Sequence, residues 1–378
     1  MAGRRLDAAL ARGRAGCAVI LLKCACGKTL QVPDHTAAKR GKCPHCGQLL
    51  PLPPTVRDYP PKLVAGMTGH KGPIRFATFS PNSRLLVTAG GSEGGVEAGA
   101  HKFAEIRIWD AQGGRQLAAM QGHQDTVLCA AFTPDSQTLI TGSKDHTICV
   151  WDVSHGMHGV VMGLKSHTLR THEGRVSSLA ATHDGSLVIS GSDDGTIRFW
   201  DAKTWRTVDT LTTGRSGLCQ LAVSSDGAWL AAVWRSRGPA ILWDLRTRQE
   251  SLCLHLRPEE DAEDFDLAFS PTGKLLGILS NRDVRLWDLS SCQVLVDIEA
   301  AGVRSLAFSP DGKTLATGGW DPKTNYNVQL WDTDAGQELR RLSGNEKSVY
   351  SVAYSPDGHR IASGGRDQIV RIWEPGTA

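Results

Sequence analysis

The sequence lacks the features that would send a chain out of the cytoplasm. Its longest early apolar run, Ala18 to Leu22, is far too short for a secretory core or a membrane span. No hydrophobic segment follows Arg4-Arg5, so a twin-arginine export signal is not formed. Cys17 has no aliphatic residues upstream to make a lipidation site. A disulfide framework is missing as well. Of the ten cysteines, Cys17, Cys129, Cys149, Cys219, Cys253 and Cys292 are scattered without regular spacing, which fits a reducing compartment and a cytoplasmic location. The glycine-rich stretch "GGSEGGVEAGAHKF" (90–103) lacks the Lys-Ser/Thr ending of a phosphate loop and opens no helix. The overall charge, +3, argues for no partner by itself.

What is present is a globular composition, 40% hydrophobic and 21% charged, over 378 residues. The charge is uneven. Residues 1–66 hold 11 Lys+Arg and 3 Asp+Glu, or +8, which leaves −5 for the other 312. A basic head therefore precedes a mildly acidic body.

The body repeats itself. "FSPDGKTLATGG" at 308–319 returns as "YSPDGHRIASGG" at 354–365 and "FTPDSQTLITGS" at 132–143. It is blurred into "FSPNSRLLVTAG" at 79–90 and "THDGSLVISGS" at 182–192. Trp-Asp closes a unit at 109–110, 151–152, 200–201, 243–244, 287–288 and 331–332, and Trp-Glu does so at 373–374. The intervals are 42, 49, 43, 44, 44 and 42 residues. Each unit alternates apolar and small residues, turns at Ser-Pro-Asp-Gly, and alternates again. Proline sets φ there, aspartate bonds the local backbone, and glycine tolerates positive φ. Period, turn and terminal Trp together mark a propeller array.

These units resemble WD40 repeats over roughly residues 61–376. The resemblance implies an all-β, seven-bladed propeller with four-stranded antiparallel blades, in which neighbouring blades bury each other's faces. The fourth strand of each blade follows Trp-Asp, as in "GRQLAAMQGH" (114–123), but the chain stops five residues after Trp373. "PKLVAGMTGH" (61–70) has the same pattern, so residues 61–68 are expected to complete the last blade. In the family, a His, a strand Ser/Thr, a turn Asp and the Trp form a buried hydrogen-bonded set. The second repeat matches with His123, Thr141, Asp145 and Trp151, and the third with His172, Ser190, Asp194 and Trp200. The seventh keeps Ser363, Asp367 and Trp373, with Asn345 in place of His. The first keeps His70, Thr88 and Trp109, with a long loop where the Asp belongs. The fourth and fifth keep little beyond Trp243 and Trp287. A His–Asp–Ser set invites a catalytic reading. Its recurrence argues for structure instead, because catalysis needs one site rather than several.

The head, residues 22–53, spaces its remaining cysteines as Cys24-x-Cys26, sixteen residues, Cys43-x-x-Cys46. Four thiolates in two close pairs suit tetrahedral Zn²⁺ in a closed, structural site. Iron is a minor alternative, and four free thiols the bland one. The frame "GKTLQVPD…GKCPHCGQLLPLP" resembles the small zinc ribbon that precedes WD40 arrays in some bacterial proteins, though its first pair is one residue tighter. Residues 1–21 read as a disordered extension, 54–60 as a proline-rich linker and 61–378 as the propeller. Lys23, Lys28, Lys39, Arg40 and Lys42 could contact phosphates. No aromatic lies between Cys24 and Cys46 to stack bases.

An insertion "WDPKTNYN" (320–327) matches the loop at 90–103, and by family analogy both project from one propeller face. Trp320, Tyr326, Arg366 and Lys144 are candidate partner contacts there, since aromatics and arginine favour interfaces. Ordinary loop variation is the plainer reading. Trp234, Arg235 and Arg237 form a second patch. His155 and His158 lie in a longer loop with no acid or cysteine partner nearby. The expectation is a non-catalytic protein-binding scaffold with no membrane or small-molecule substrate. A nucleic-acid adaptor using the basic head is the alternative, and a propeller enzyme working in the central channel is a weaker one.

Overall fold

The computed structural model describes residues 62–375 with side chains, except 92–103, 155–162, 236–237, 256–265, 281–282, 301 and 321–326, and except the side chains of Cys219 and Asn327. In the head it describes the backbone of five strands. The chain divides into two compact units, Met1–Lys62 with Gly376–Ala378, and Leu63–Pro375.

The larger unit consists of seven four-stranded antiparallel sheets among the described residues. Their first strands are Ile74–Phe79, Val127–Phe132, Val176–Ala181, Leu218–Val223, Asp266–Phe269, Val303–Phe308 and Val349–Tyr354. Each of these packs on the first strand of the next sheet, and the seventh packs on the first. The sheets are therefore blades of a closed ring, with the first strands innermost. Six blades take four consecutive strands. The seventh runs Val349–Tyr354, Ile361–Gly365, Val370–Glu374 and then Lys62–Met67, from the far end of the described body. Met67 and Ile74 share a buried cluster with Val370 and Ile372, so the seam between the two ends is apolar core.

One hairpin shows why these residues fold this way. In Val303–Phe308, Val303, Ser305, Leu306 and Phe308 are buried and Arg304 is exposed. Pro310 and Asp311 then turn the chain. Ser309 donates to Asp311 Oδ1 at 2.6 Å, and the N–H of Gly312 returns to Ser309 O at 2.8 Å. Gly312 sits at φ 72°, where a Cβ would be strained. Thr314 N–H closes the turn on Ser309 Oγ at 2.9 Å and opens the second strand, Thr314–Gly319. Six of the seven blades carry a bulge at the second residue of the inner strand, as between Val303 and Ser305. A bulge lifts one side chain out of the ladder and re-aims it.

In the head, Ala8–Arg12, Ala18–Lys23 and Thr29–Pro33 form a three-stranded sheet, and Arg40–Lys42 pairs with Leu49–Pro51. Residues 1–21, read from sequence as a disordered extension, thus include strand Ala8–Arg12 and the start of Ala18–Lys23. The β-branched, apolar "AVILL" gives that pairing its propensity. Lys23 pairs with Thr29 and Lys42 with Leu49, so 24–28 and 43–48 connect two hairpins. Cys24, Cys26, Cys43 and Cys46 fall in those connections, outside the described residues.

Candidate functional site in the blades and at the channel mouth

Within the second blade, Trp151 Nε1–H donates to Thr141 Oγ1 at 2.8 Å, and His123 Nε2 lies 2.8 Å from the same oxygen. His123 Nδ1 reaches Asp145 Oδ2 at 3.0 Å. The third blade repeats this with Trp200 to Ser190 at 2.8 Å, His172 Nε2 to Ser190 at 2.8 Å, and His172 Nδ1 to Asp194 at 2.8 Å. The imidazoles are only 0% and 1% exposed, so no substrate can reach them. These sets tie the inner hairpin of each blade to its third strand.

The pKa values of the two histidines are shifted in opposite directions. Burial disfavours the charge on His123, but its bond to Asp145 and its contact with Cys149 overcome that and raise its pKa to about 9. His172 is lowered, chiefly by burial, with Arg198 adding repulsion against the pull of Asp194. Asp194 is held near 2. Burial opposes this, but bonds from Thr196 and His172 prevail.

Other blades fill the same places with residues that the sequence pattern did not reveal. In the first blade, Glu105 substitutes for the missing turn Asp. It lies 3.4 Å from His70 Nδ1 and accepts the Lys71 N–H at 3.3 Å, while Trp109 donates to Thr88 at 2.7 Å. In the seventh, Arg371 takes the imidazole's role, reaching Asp367 at 2.6 Å and Asn345 at 3.3 Å, beside Trp373 on Ser363 at 3.1 Å. In the sixth, Trp331 bonds Thr317 at 2.8 Å. Ten residues before Trp287, where the second and third blades have their hydroxyl, the fifth has Gly277. Trp287 Nε1 is accordingly buried without an acceptor.

The channel wall carries a second network. Ser178 Oγ accepts the N–H of Leu221 at 2.9 Å and donates to Gln220, whose amide donates to Asp266 at 2.9 Å. Asp266 accepts the N–H of Leu306 at 2.9 Å, Ser305 that of Val352 at 3.2 Å, and Ser351 that of Ala77 at 2.9 Å. Each bond runs from one blade to the next. The third inner-strand residue in "VSSLA", "VRSLAF" and "VYSVAY" was the available signal.

The rim residues lie at one end of the ring, where inner strands begin and second strands end. Lys144 N–H bonds Thr126 O at 3.0 Å, Trp320 N–H bonds Gly302 O at 2.9 Å, and Arg366 N–H bonds Ser348 O at 2.9 Å, so these three candidates occupy equivalent positions in blades two, six and seven. Arg235 holds the same place in the fourth, on Gly217 O at 2.8 Å. Trp320 is 47% exposed, whereas Trp234 is buried against Trp243. Trp234 is therefore core, not contact surface. Tyr326, Arg237, His155 and His158 lie outside the described residues. At the turn end, a cavity of about 390 Å³ between blades three and four is lined by Asp184, Asp226, Arg246 and Arg248, among others. Arg248 is already engaged there, 4.1 Å over the Phe199 ring.

Among the described residues no three His, Cys, Asp or Glu gather to hold a metal, and no helix is long and apolar enough to cross a membrane. Residues 61–96, 114–152, 163–201, 292–332 and 336–374 match the family described as WD domain, G-beta repeat. No match covers 202–291, although the fourth and fifth blades there are four-stranded like the rest. The chain is 28% identical over 271 residues to periodic tryptophan protein 2 of Arabidopsis thaliana, covering 70% of this chain and 29% of that one. It is 27% identical over 271 residues to a guanine nucleotide-binding protein subunit beta of the same plant, covering 68% and 69%. The mouse periodic tryptophan protein 2 homolog is 30% identical over 253 residues, covering 66% and 26%. The chain thus spans under a third of the periodic tryptophan proteins. These plant and animal relatives lend no support to the bacterial association of the ribbon. With seven closed blades, recurring Trp sets and family matches over half its length, the chain belongs to the WD40 repeat family.

Proposed function

We propose that this protein is a non-catalytic interaction scaffold that presents the rim of its ring to protein partners. The observation that carries the reading is Trp320, a large aromatic 47% exposed on the same end as Lys144 and Arg366. An exposed Trp on the same end as cations is the composition of an interface anchor. The buried, repeated polar sets support the absence of a reaction. In the same reading Cys24, Cys26, Cys43 and Cys46 hold one structural Zn²⁺, and the protein works in the reducing cytoplasm. The donor set supports zinc, since two close thiolate pairs fill a tetrahedral shell.

The test is affinity capture from native lysate with the full chain and with Trp320→Ala, each with and without nuclease. A defined protein recovered by the parent and lost with Trp320→Ala supports the scaffold. Recovery that nuclease abolishes sinks it in favour of a nucleic-acid adaptor gripping phosphates with Lys23, Lys28, Lys39, Arg40 and Lys42.

A further inference from the structure

The rim end of the channel gathers positive charge although the body of the chain is net negative. Arg75 and Arg304 each stand 5.0 Å from the centre of the Tyr350 ring. All three are bulge residues, second in the inner strands of blades one, six and seven. The same irregularity in the ladder therefore turns each of them out toward the mouth. The ammonium of Lys144, in blade two, feels the guanidiniums of Arg75, Arg175 and Arg235. Lys144 thus lies in the field of three cations from three other blades, and Arg304 shares the Tyr350 ring with Arg75. Carboxylates accompany them among the described residues: Asp193 pairs with Arg175, and Asp125 lies near Lys144.

Two details favour a site here, although the Nε atoms of Arg107 and Arg198 are also buried without a partner. Arg75 Nε is buried with no hydrogen-bond partner, a donor that a native interior rarely leaves open. Tyr350 holds two guanidiniums by its π-faces, which fix their positions without cancelling their charge. We propose that this mouth is a binding site for phosphoryl groups, formed by Arg75 and Arg304 on the Tyr350 ring together with Lys144 and Arg175.

Chemistry selects the ligand. Guanidiniums match phosphate oxygens as bidentate forks. A phosphomonoester brings nearly two negative charges and three acceptor oxygens, enough for several converging cations, where a carboxylate brings one charge. Burial and the neighbouring guanidiniums lower the pKa of Lys144, and an anion bound here would relieve that repulsion. The proposal does not rest on the scaffold reading, because a small anion tests the site whether or not a protein partner exists.

The experiment is isothermal titration of the full chain with inorganic pyrophosphate, in about 0.1 M salt so that exposed charges are partly screened. The same chain is titrated with phosphoserine peptides of mixed flanking sequence and with their serine twins. Pyrophosphate is expected to bind, and Lys144→Gln and Arg75→Gln each to weaken binding tenfold or more. Arg246→Gln, at the turn end, is expected to leave binding unchanged. Near-UV circular dichroism checks each fold. If Arg75→Gln does not fold, Lys144→Gln alone decides, since its side chain leaves from a strand end. Binding of phosphoserine peptides but not their twins identifies the source as a phosphorylated partner, and pyrophosphate alone identifies a free phosphate compound. No binding, binding by both variants as tight as the parent's, or a single-stranded oligonucleotide that outcompetes both ligands overturns the proposal.

Discussion

Asp266 Oδ2 accepts the backbone N–H of Leu306 at 2.9 Å, across the boundary between the fifth and sixth blades. Its other oxygen accepts the Gln220 amide and the Leu267 N–H, each at 2.9 Å. One carboxyl thus joins blades four, five and six, and it is 9% exposed. Burial pushes its pKa up against those bonds. Asp266→Ala strands two buried N–H donors and the part-buried Gln220 amide. A buried donor costs about 1–3 kcal/mol when unsatisfied, so a loss of roughly 2 kcal/mol or more is expected on denaturant unfolding. Asp266→Asn keeps one acceptor and should lose about half as much. Equal stability of all three proteins would mean that the wall network is dispensable.

The two matched histidines give opposite pH dependences. His123 has a folded pKa of about 9, above its unfolded value near 6.5. The folded state then binds the extra proton, so this contribution is complete below about pH 6.5 and is lost as pH rises toward 9. His172 is lowered, so its contribution is present above about pH 6.5 and is lost as pH falls below it. Stability measured by urea unfolding from pH 5 to 9 should decline less at high pH in His123→Gln than in the parent. His172→Gln should flatten the acid side instead. Both variants lose the bond to the blade's hydroxyl, so the shape of the curve, not its height, is the readout.

How the blades were readable depends on which residues carry the information. The Trp-Asp spacing and the Ser-Pro-Asp-Gly turn are local, and local chemistry dictates local backbone, so strands and period were plain. His123, Thr141, Asp145 and Trp151 lie in register within one unit, and their meeting followed from the repeat. Glu105 and Arg371 were not visible, because each does the work of a different residue type from an adjacent strand position. The repeat pattern reports what is shared, and these two are exceptions. The Ser178–Gln220–Asp266 chain was hidden for a different reason. Its bonds run between repeats, and reading each unit alone cannot show them. Arg75, Arg304 and Tyr350 occupy one bulge position with no motif of their own. Only closure of the ring, which sets blade seven beside blade one, brings them together.

The substitute pair in the seventh blade is open to a direct test. Arg371 and Asp367 are buried together, with side chains 6% and 4% exposed and 2.6 Å between them. Removing one partner leaves a buried charge uncompensated. Arg371→Met should therefore cost about 3–5 kcal/mol. Replacing both, Arg371→Met with Asp367→Asn, should recover much of that, because neither charge remains to be desolvated and the amide oxygen can still accept the N–H of Ile369. This blade also holds the closing strand Lys62–Met67, so opening of the ring should begin here. Faster amide exchange at Val370–Glu374 than in the second blade's Ile148–Asp152 would be the sign in Arg371→Met. A double variant as unstable as the single one would show that the Arg packs rather than pairs.

The head is to be tested by its metal. Residues 22–53 hold too little apolar surface for a core of their own, and a domain below about 40 residues usually needs a staple. If Cys24, Cys26, Cys43 and Cys46 bind zinc, the purified chain carries one equivalent by elemental analysis, and Cys43→Ser with Cys46→Ser carries none. Structural zinc contributes on the order of 10–16 kcal/mol at neutral pH, so chelation should unfold the head while leaving the ring's melting transition in place. Because the thiolates compete with protons for the metal, release should grow as pH falls. A metal-free chain in which residues 18–33 stay protected from amide exchange would show that the two hairpins hold without a staple. Iron in place of zinc would announce itself by colour and by reversible one-electron reduction, which zinc cannot undergo.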